Sequence, residues 1–142
     1  MKGEEFLAVA KAMLPLRTEA AFRSAISRAY YALFNSAALL LRELGIAIVQ
    51  SPSGHGDLKH FLFNCGVAQA MDFARVLDEL RTKRNLADYN METAIFQNQN
   101  DCSWLVAKAE IAIKTLVTFK HEPLRTQIQT GIQDYERKIK YS

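Results

Sequence analysis

A long apolar stripe at helical spacing is the feature that most restricts how this chain can fold. It runs from Phe22 to Leu44 in steps of three and four residues, the spacing that places side chains on one face of an α-helix. Its members are Phe22, Ile26, Tyr30, Leu33, Ala37, Leu40 and Leu44. Thr18 is placed to cap the start of this helix, and Gly45 to end it. Because such a stripe needs other helices against it, the pattern predicts a helical bundle.

The rest of the chain also has helical patterns. We predict helices at about residues 4–14, 58–66, 68–88, 101–120 and 124–139, with Asp101 as the cap of the fifth helix. Residues 50–56, rich in Ser and Gly, and residues 91–100, largely polar, are predicted to be loops. Gly131, inside the last helix, costs about 1 kcal/mol relative to alanine.

The fold class follows from these patterns and from the scarcity of turn residues. Only six Gly and three Pro occur in 142 residues, too few for a sandwich or barrel of many short strands. We therefore predict one all-α domain over residues 1–142. Its core, at about residues 4–120, is an antiparallel up-and-down bundle of four or five helices, and residues 121–142 form an extra C-terminal helix.

Composition excludes several classes of protein. The net charge of +3 is too small to indicate nucleic-acid binding unless the charge is concentrated in one place. No apolar run approaches the ~20 residues of a membrane span, so we expect a soluble, cytoplasmic protein. Cys65 and Cys102 cannot form a four-ligand zinc site on their own, and we expect small buried thiols. We expect neither a metal nor a cofactor, since no phosphate-binding glycine loop or zinc-binding histidine pair is present.

The second helix carries a polar stripe beside its apolar one. Ser24, Arg28, Tyr31 and Asn35 follow one another at helical spacing. An exposed helix face more often carries flexible Lys and Glu, whereas these hydrogen-bond donors and aromatics suit a groove. Two interpretations remain open: a ligand groove, or a polar seam that satisfies neighbouring backbone groups.

A second unusual segment covers residues 81–89, RTKRNLADY. The apolar stripe of the fourth helix runs directly into Arg84, and an arginine on the core side of a helix needs a partner. Asp88 lies four residues on, within reach of an ion pair. Arg81, Lys83 and Arg84 place three positive charges within four residues. Arg84 could therefore hold a phosphate with its guanidinium fork, or form a purely structural pair with Asp88.

These segments resemble the HEPN domain family. SRAYYALF at residues 27–34, the glycine-flanked His55, and LRTKRNLADY at residues 80–89 are similar to the motifs of small stand-alone prokaryotic members. The resemblance covers roughly residues 22–119. It implies a bundle of four or five helices that forms a homodimer, with the fourth-helix motifs facing each other across a cleft. It also implies association with RNA or nucleotides, often beside a minimal nucleotidyltransferase in toxin–antitoxin or defence modules.

One position departs from the pattern of the family's ribonucleases. Those members carry a histidine four to six residues after the motif arginine. Here Arg84 and Asn85 match the start of the motif, but Tyr89 stands five residues after Arg84. Tyrosine, with a pKa near 10, exchanges protons poorly at neutral pH. If the protein is a metal-independent ribonuclease, proton transfer falls to His55, His60 or Tyr89. Alternatively, both are ordinary surface or helix-start histidines.

Two functions are consistent with these residues. In the first, a homodimer binds RNA or a nucleotide phosphate in a groove. Arg84 holds the phosphate, Asp88 and Asn85 orient Arg84, and Tyr31 offers a ring face or a hydroxyl. The full predicted groove comprises Arg28, Tyr31, Asn35, Arg81, Arg84, Asn85, Asp88 and Tyr89. In the second, the chain is a non-catalytic protein–protein interaction module that binds a nucleotidyltransferase-fold protein, and the Arg84–Asp88 pair is structural.

Overall fold

Helices account for most of residues 2–48 and 52–140, the parts of the chain that the computed structural model describes. The helices are α1 (Glu4–Met13), α2 (Glu19–Glu43), α3 (Pro52–Asn64), α4 (Ala68–Tyr89), α5 (Gln99–Thr118) and α6 (Leu124–Lys140), with a short 3₁₀ helix at Leu14–Leu16. Within these ranges no residue is in a β-strand. The predicted all-α class is confirmed.

Helix α2 is the central element, packed against α1, α4 and α5. Every member of the predicted apolar stripe is buried. Alanines on further faces of the helix, among them Ala25, Ala29 and Ala32, are also fully buried and let neighbouring helices approach closely. Thr18 caps the helix as predicted, its hydroxyl oxygen accepting the backbone N–H of Ala21 at 3.1 Å. Gly45 follows the end of the helix with a φ of +85°, a conformation that favours glycine.

The predicted loop at residues 50–56 is wrong from Pro52 onward, because α3 begins there. Residues 49–51 lie outside the described part of the chain. Proline is well suited to the first position of a helix. The glycines that suggested a loop flank His55, whose ring packs against the rings of Tyr30 and Phe34 in α2. This packing outweighs the low helix propensity of glycine.

The cap of α5 also differs from the prediction. Asn98, not Asp101, accepts the capping hydrogen bond, and its donor is the backbone N–H of Asp101 at 3.1 Å. The helix therefore starts at Gln99, two residues earlier than predicted. In the preceding turn, Phe96 is fully buried and anchors the otherwise polar connection between α4 and α5.

Helix α6 packs on α3 through a narrow contact. Ile128 and Ile132 are fully buried there. Between them, the backbone at Gly131 approaches the carbonyl of Cys65 so closely that a Cβ atom at position 131 would overlap that oxygen. From the sequence, Gly131 was expected only to lower the stability of the last helix. The packing shows that a glycine is required at this position.

Candidate functional site

Helices α2 and α4 bring the 27–34 and 80–89 segments into contact. The Ser27 hydroxyl donates to the Asp88 carboxylate at 3.3 Å. In the opposite direction, from α4 to α2, the Arg84 guanidinium donates a short hydrogen bond to the Tyr31 hydroxyl. Residues that lie more than fifty positions apart in the sequence therefore form one polar network, and its centre is Arg84.

Arg84 is held in a defined orientation. Its Nε lies 3.1 Å from the Asp88 carboxylate, so the ion pair that the spacing suggested is present. Its Nη1 donates to the side-chain oxygen of Asn85 at 3.0 Å. The guanidinium carbon lies 5.0 Å from the centre of the Tyr31 ring and 5.7 Å from that of Tyr30. The side chains of Arg84 and Asp88 remain 18% and 30% exposed, so the pair is partly solvated.

Two further arginines lie at this network, because Arg28 contacts the Tyr31 ring and the charge of Arg81 acts on Tyr30. In the described part of the chain, no carboxylate lies within ion-pair distance of Arg28, Arg81 or Lys83. The guanidinium of Arg28 lies 5.9 Å from the Tyr31 ring, which thus contacts two arginines. The site has an excess of positive charge, although the whole chain is close to neutral.

Asn35 and His60 lie outside the network. The amide nitrogen of Asn35 donates to the Tyr31 carbonyl, one turn back in α2, at 2.8 Å. His60 is exposed on α3, and among the described residues no hydrogen bond or ion pair joins its ring to Arg84. Tyr89 is 75% exposed at the end of α4, and its ring centre lies 5.9 Å from the Arg84 guanidinium.

His55 is not the surface or loop residue that the sequence suggested. It is 4% exposed, and its Nδ1 lies 2.6 Å from the Tyr30 hydroxyl. Burial, reinforced by the positive charge of Arg81, lowers the pKa of His55 to about 4. Burial also raises the pKa of Tyr30 to about 12. At neutral pH both groups are uncharged.

The surroundings of the ring indicate the tautomer of His55. The Asp78 carboxylate lies 3.7 Å from Nε2 and favours the ring proton on that nitrogen, which leaves Nδ1 to accept the Tyr30 hydroxyl proton. Nε2 is buried and has no hydrogen-bond partner among the described residues. His55 therefore acts on the site indirectly, because it orients the Tyr30 ring against which Arg84 packs.

Arg23 is a buried residue that the sequence analysis missed. It is 7% exposed, and its guanidinium donates to backbone carbonyls at the end of α4 and in the following turn. The acceptors are Leu86 at 3.3 Å, Ala87 at 3.0 Å, Asn90 at 2.8 Å and Thr93 at 3.2 Å. The guanidinium carbon also lies 5.0 Å from the ring centre of Phe96. Arg23 thus holds the C-terminal end of the helix that carries Arg84.

A signal for Arg23 is present in the sequence. It follows Phe22 and precedes Ile26 by three residues, so helical spacing places it beside the apolar stripe of α2. Arg84 has a similar position relative to the apolar stripe of α4. Glu19, one turn earlier, offers a carboxylate at 3.3 Å from Nε. The main acceptors of Arg23 are backbone carbonyls of another helix, which a residue pattern does not reveal.

Comparison of the chain with protein-family models, with curated proteins and with solved structures gave no match.

No group of three or more metal-ligating side chains is found among the described residues. Over the same residues, no helix is long and apolar enough to cross a membrane. Function must be inferred from the chemistry of the Arg84 network itself.

We predict that Arg23→Met lowers the free energy of unfolding by about 4 kcal/mol, because the buried Ala87 carbonyl and the partly buried carbonyls of Asn90 and Thr93 lose the donor that Arg23 supplies. Amide hydrogen exchange in residues 90–96 should accelerate by the largest factor. Arg75→Met is the matched control, since Arg75 is an exposed arginine of α4 and should change stability by about 0.5 kcal/mol or less. A loss below about 1 kcal/mol for Arg23→Met would contradict the structural role of Arg23.

The low pKa of His55 predicts a pH dependence of stability. The unfolded chain takes up this proton near pH 6.5 and the folded chain near pH 4, so stability falls as the pH drops between these values. In the variant His55→Gln, the free energy of unfolding should decrease less over this pH range than in the wild type, by up to about 3 kcal/mol. Denaturant titrations at several pH values test this, with His60→Gln as the exposed control. Equal slopes for the wild type and His55→Gln would refute the prediction.

Proposed function

We propose that the Arg84 network and its neighbouring cations form a binding site for the phosphate of RNA or of a nucleotide. The observation that carries this proposal is the fixed Arg84 guanidinium, set near two arginines, Arg28 and Arg81, that have no carboxylate partner within the described residues. A planar guanidinium donates two parallel hydrogen bonds to phosphate oxygens, and partial burial strengthens them.

The charge balance around Arg84 supports an anionic ligand. Asp88 offsets one positive charge, whereas Arg28, Arg81 and Lys83 are not offset by ion pairs within the described residues. Such an excess repels other cations and attracts phosphate, with a strength that falls as salt is added. The Tyr31 ring contacts both Arg28 and Arg84, and its hydroxyl accepts a hydrogen bond from Arg84.

The geometry favours binding over cleavage. General acid–base catalysis needs a group near the reacting atoms that exchanges a proton near neutral pH. His55 is buried, has a pKa of about 4, and faces Tyr30 and Asp78 rather than Arg84. Tyr89 contacts Arg84 through its ring but is 75% exposed at the end of α4. We therefore propose a binding protein and expect at most slow metal-independent RNA cleavage.

The resemblance to the HEPN family extends this proposal to assembly and partners. It suggests a HEPN-like up-and-down bundle that forms a homodimer, with a nucleotidyltransferase-fold protein as partner in a toxin–antitoxin or defence module. The contact between α2 and α4 supports this extension, since it joins the two segments that carry the resemblance.

A second candidate is a protein–protein interaction module without a ligand of its own. The observation in its favour is that Arg84 already has protein partners: Tyr31, Asn85 and Asp88. In that case the pair with Asp88 would serve stability alone. The partial exposure of both side chains weighs against this, because a solvated pair contributes little to stability.

Replacement of Arg84 by alanine should weaken the binding of a fluorescein-labelled single-stranded RNA at least tenfold, because charge-assisted hydrogen bonds to phosphate are lost. Fluorescence anisotropy measures the affinity, and a denaturing gel of the same samples, with EDTA and with Mg²⁺, reports cleavage. Arg75→Ala is the matched control: Arg75 lies nine residues earlier, on the opposite face of α4. Equal affinity of folded Arg84→Ala and wild type would eliminate the phosphate site.

The variant Asp88→Asn separates the two candidate functions. In a phosphate site, the loss of a partly solvated charge should lower stability by only about 1 kcal/mol, with RNA affinity unchanged or higher because Arg84 is no longer offset. A structural pair predicts a loss of about 3 kcal/mol or more. Thermal and denaturant unfolding, combined with the anisotropy titration, decide between them.

A further inference from the structure

An open cavity lies at the end of α4, beside the Arg84 network. We call it the α4-end cavity, and its lining residues are Thr82, Asn85, Leu86, Tyr89, Asn90, Met91 and Glu92. Asn85 belongs to both places, because its side-chain oxygen accepts a hydrogen bond from Arg84 while the residue lines the cavity. A ligand held by Arg84 would therefore lie next to this cavity.

The chemistry of the α4-end cavity differs from that of the Arg84 network. No cation lines it, and Glu92 contributes a carboxylate, so the cavity itself offers no charged partner for a phosphate. Tyr89 and Met91, which are 75% and 62% exposed, offer an aromatic ring and an apolar side chain. The amide nitrogen of Asn85 has no hydrogen-bond partner among the described residues and is free to donate. An aromatic face bordered by amides suits a planar heterocycle with polar edges.

The turn that lines the cavity is held by hydrogen bonds within the protein. The side-chain oxygen of Asn90 accepts the backbone N–H groups of Glu92 and Thr93, at 3.1 Å and 3.2 Å. Arg23 holds the carbonyls of Asn90 and Thr93 from the inside. A ligand would not have to order this turn on binding, which lowers the entropic cost of occupying the cavity.

We propose that the α4-end cavity is a nucleobase subsite. This inference rests on the proposed function: Arg84 holds the phosphate, and the base of the same nucleotide stacks on Tyr89 with a polar edge toward Asn85. The ring centre of Tyr89 lies 5.9 Å from the Arg84 guanidinium, so a phosphate on Arg84 and a base on the Tyr89 ring would be close neighbours. The ligand class is a nucleoside monophosphate, free or as one unit of a single-stranded RNA.

The test compares two ligands that differ only in the base. Adenosine 5′-monophosphate and ribose 5-phosphate are each titrated into the full chain, and the dissociation constants are taken from NMR chemical-shift changes. The wild type should bind the nucleotide at least tenfold more tightly than the sugar phosphate, the effect expected of one stacked base. Tyr89→Ala should bring the ratio of the two constants close to one, whereas Tyr89→Phe, which keeps the ring, should preserve it.

Two control variants distinguish a failure of the phosphate site from a failure of the nucleobase subsite. Arg84→Ala should weaken both ligands together, and Trp104→Ala, which removes an exposed aromatic side chain on α5, should leave the ratio unchanged. Equal affinities of the wild type for both ligands would overturn the nucleobase subsite while leaving the phosphate site intact. Binding of neither ligand would overturn the proposed function and the subsite together.

The remaining alternative is that the cavity is a contact between two copies of the chain. Sedimentation analysis of the wild type and of Tyr89→Ala tests this with the same samples. A change of oligomeric state in Tyr89→Ala with an unchanged affinity ratio would overturn the nucleobase subsite. An unchanged oligomeric state with a lost ratio would support it.

Discussion

The site depends on one buried guanidinium, that of Arg23. A charge in the interior is tolerated only where its donors are satisfied, and here four backbone carbonyls and the Glu19 carboxylate accept them. The bonds extend from α2 to the end of α4 and to the turn beyond it. The position of Arg84 relative to Tyr31 follows from this link, since the two residues lie on the two helices that it joins.

Two tyrosines that are adjacent in sequence contact different parts of the site. Tyr30 points toward His55, where burial keeps both groups uncharged. Tyr31 points toward Arg84 and contacts Arg28, where charge is retained and partly exposed to solvent. Successive residues of a helix differ in direction by about 100°, which lets one dipeptide serve both environments. Arg84 packs against both rings, so the buried Tyr30–His55 pair also supports the position of Arg84.

The helices could largely be predicted from the sequence, because periodic burial leaves a periodic pattern. The stripe from Phe22 to Leu44, the Thr18 cap and the proximity of Arg84 to Asp88 are local features that residue spacing encodes. The errors arose where contacts between distant segments decide the outcome. The start of α3 and the burial of His55 depend on the aromatic rings of α2.

The same limit applies to the candidate site. The pairing of Tyr31 with Arg84 joins residues on two helices, and no local spacing reports it. The role of Arg23 depends on carbonyl groups, which every residue carries and no pattern distinguishes. Asn98 and Asp101 lie three residues apart and are both suited to cap a helix, so their residue types alone do not show which of them caps α5.

The contact of Gly131 with the Cys65 carbonyl has a consequence for the C-terminal helix. A helix that packs through side chains can slide along its partner and find other registers, because many apolar side chains are interchangeable. Here a bare backbone segment must face one particular oxygen, and the neighbouring positions of α6 all carry a Cβ. A shift of α6 by any number of residues would place a side chain against that oxygen. The glycine therefore allows α6 to pack against the end of α3 in one register only.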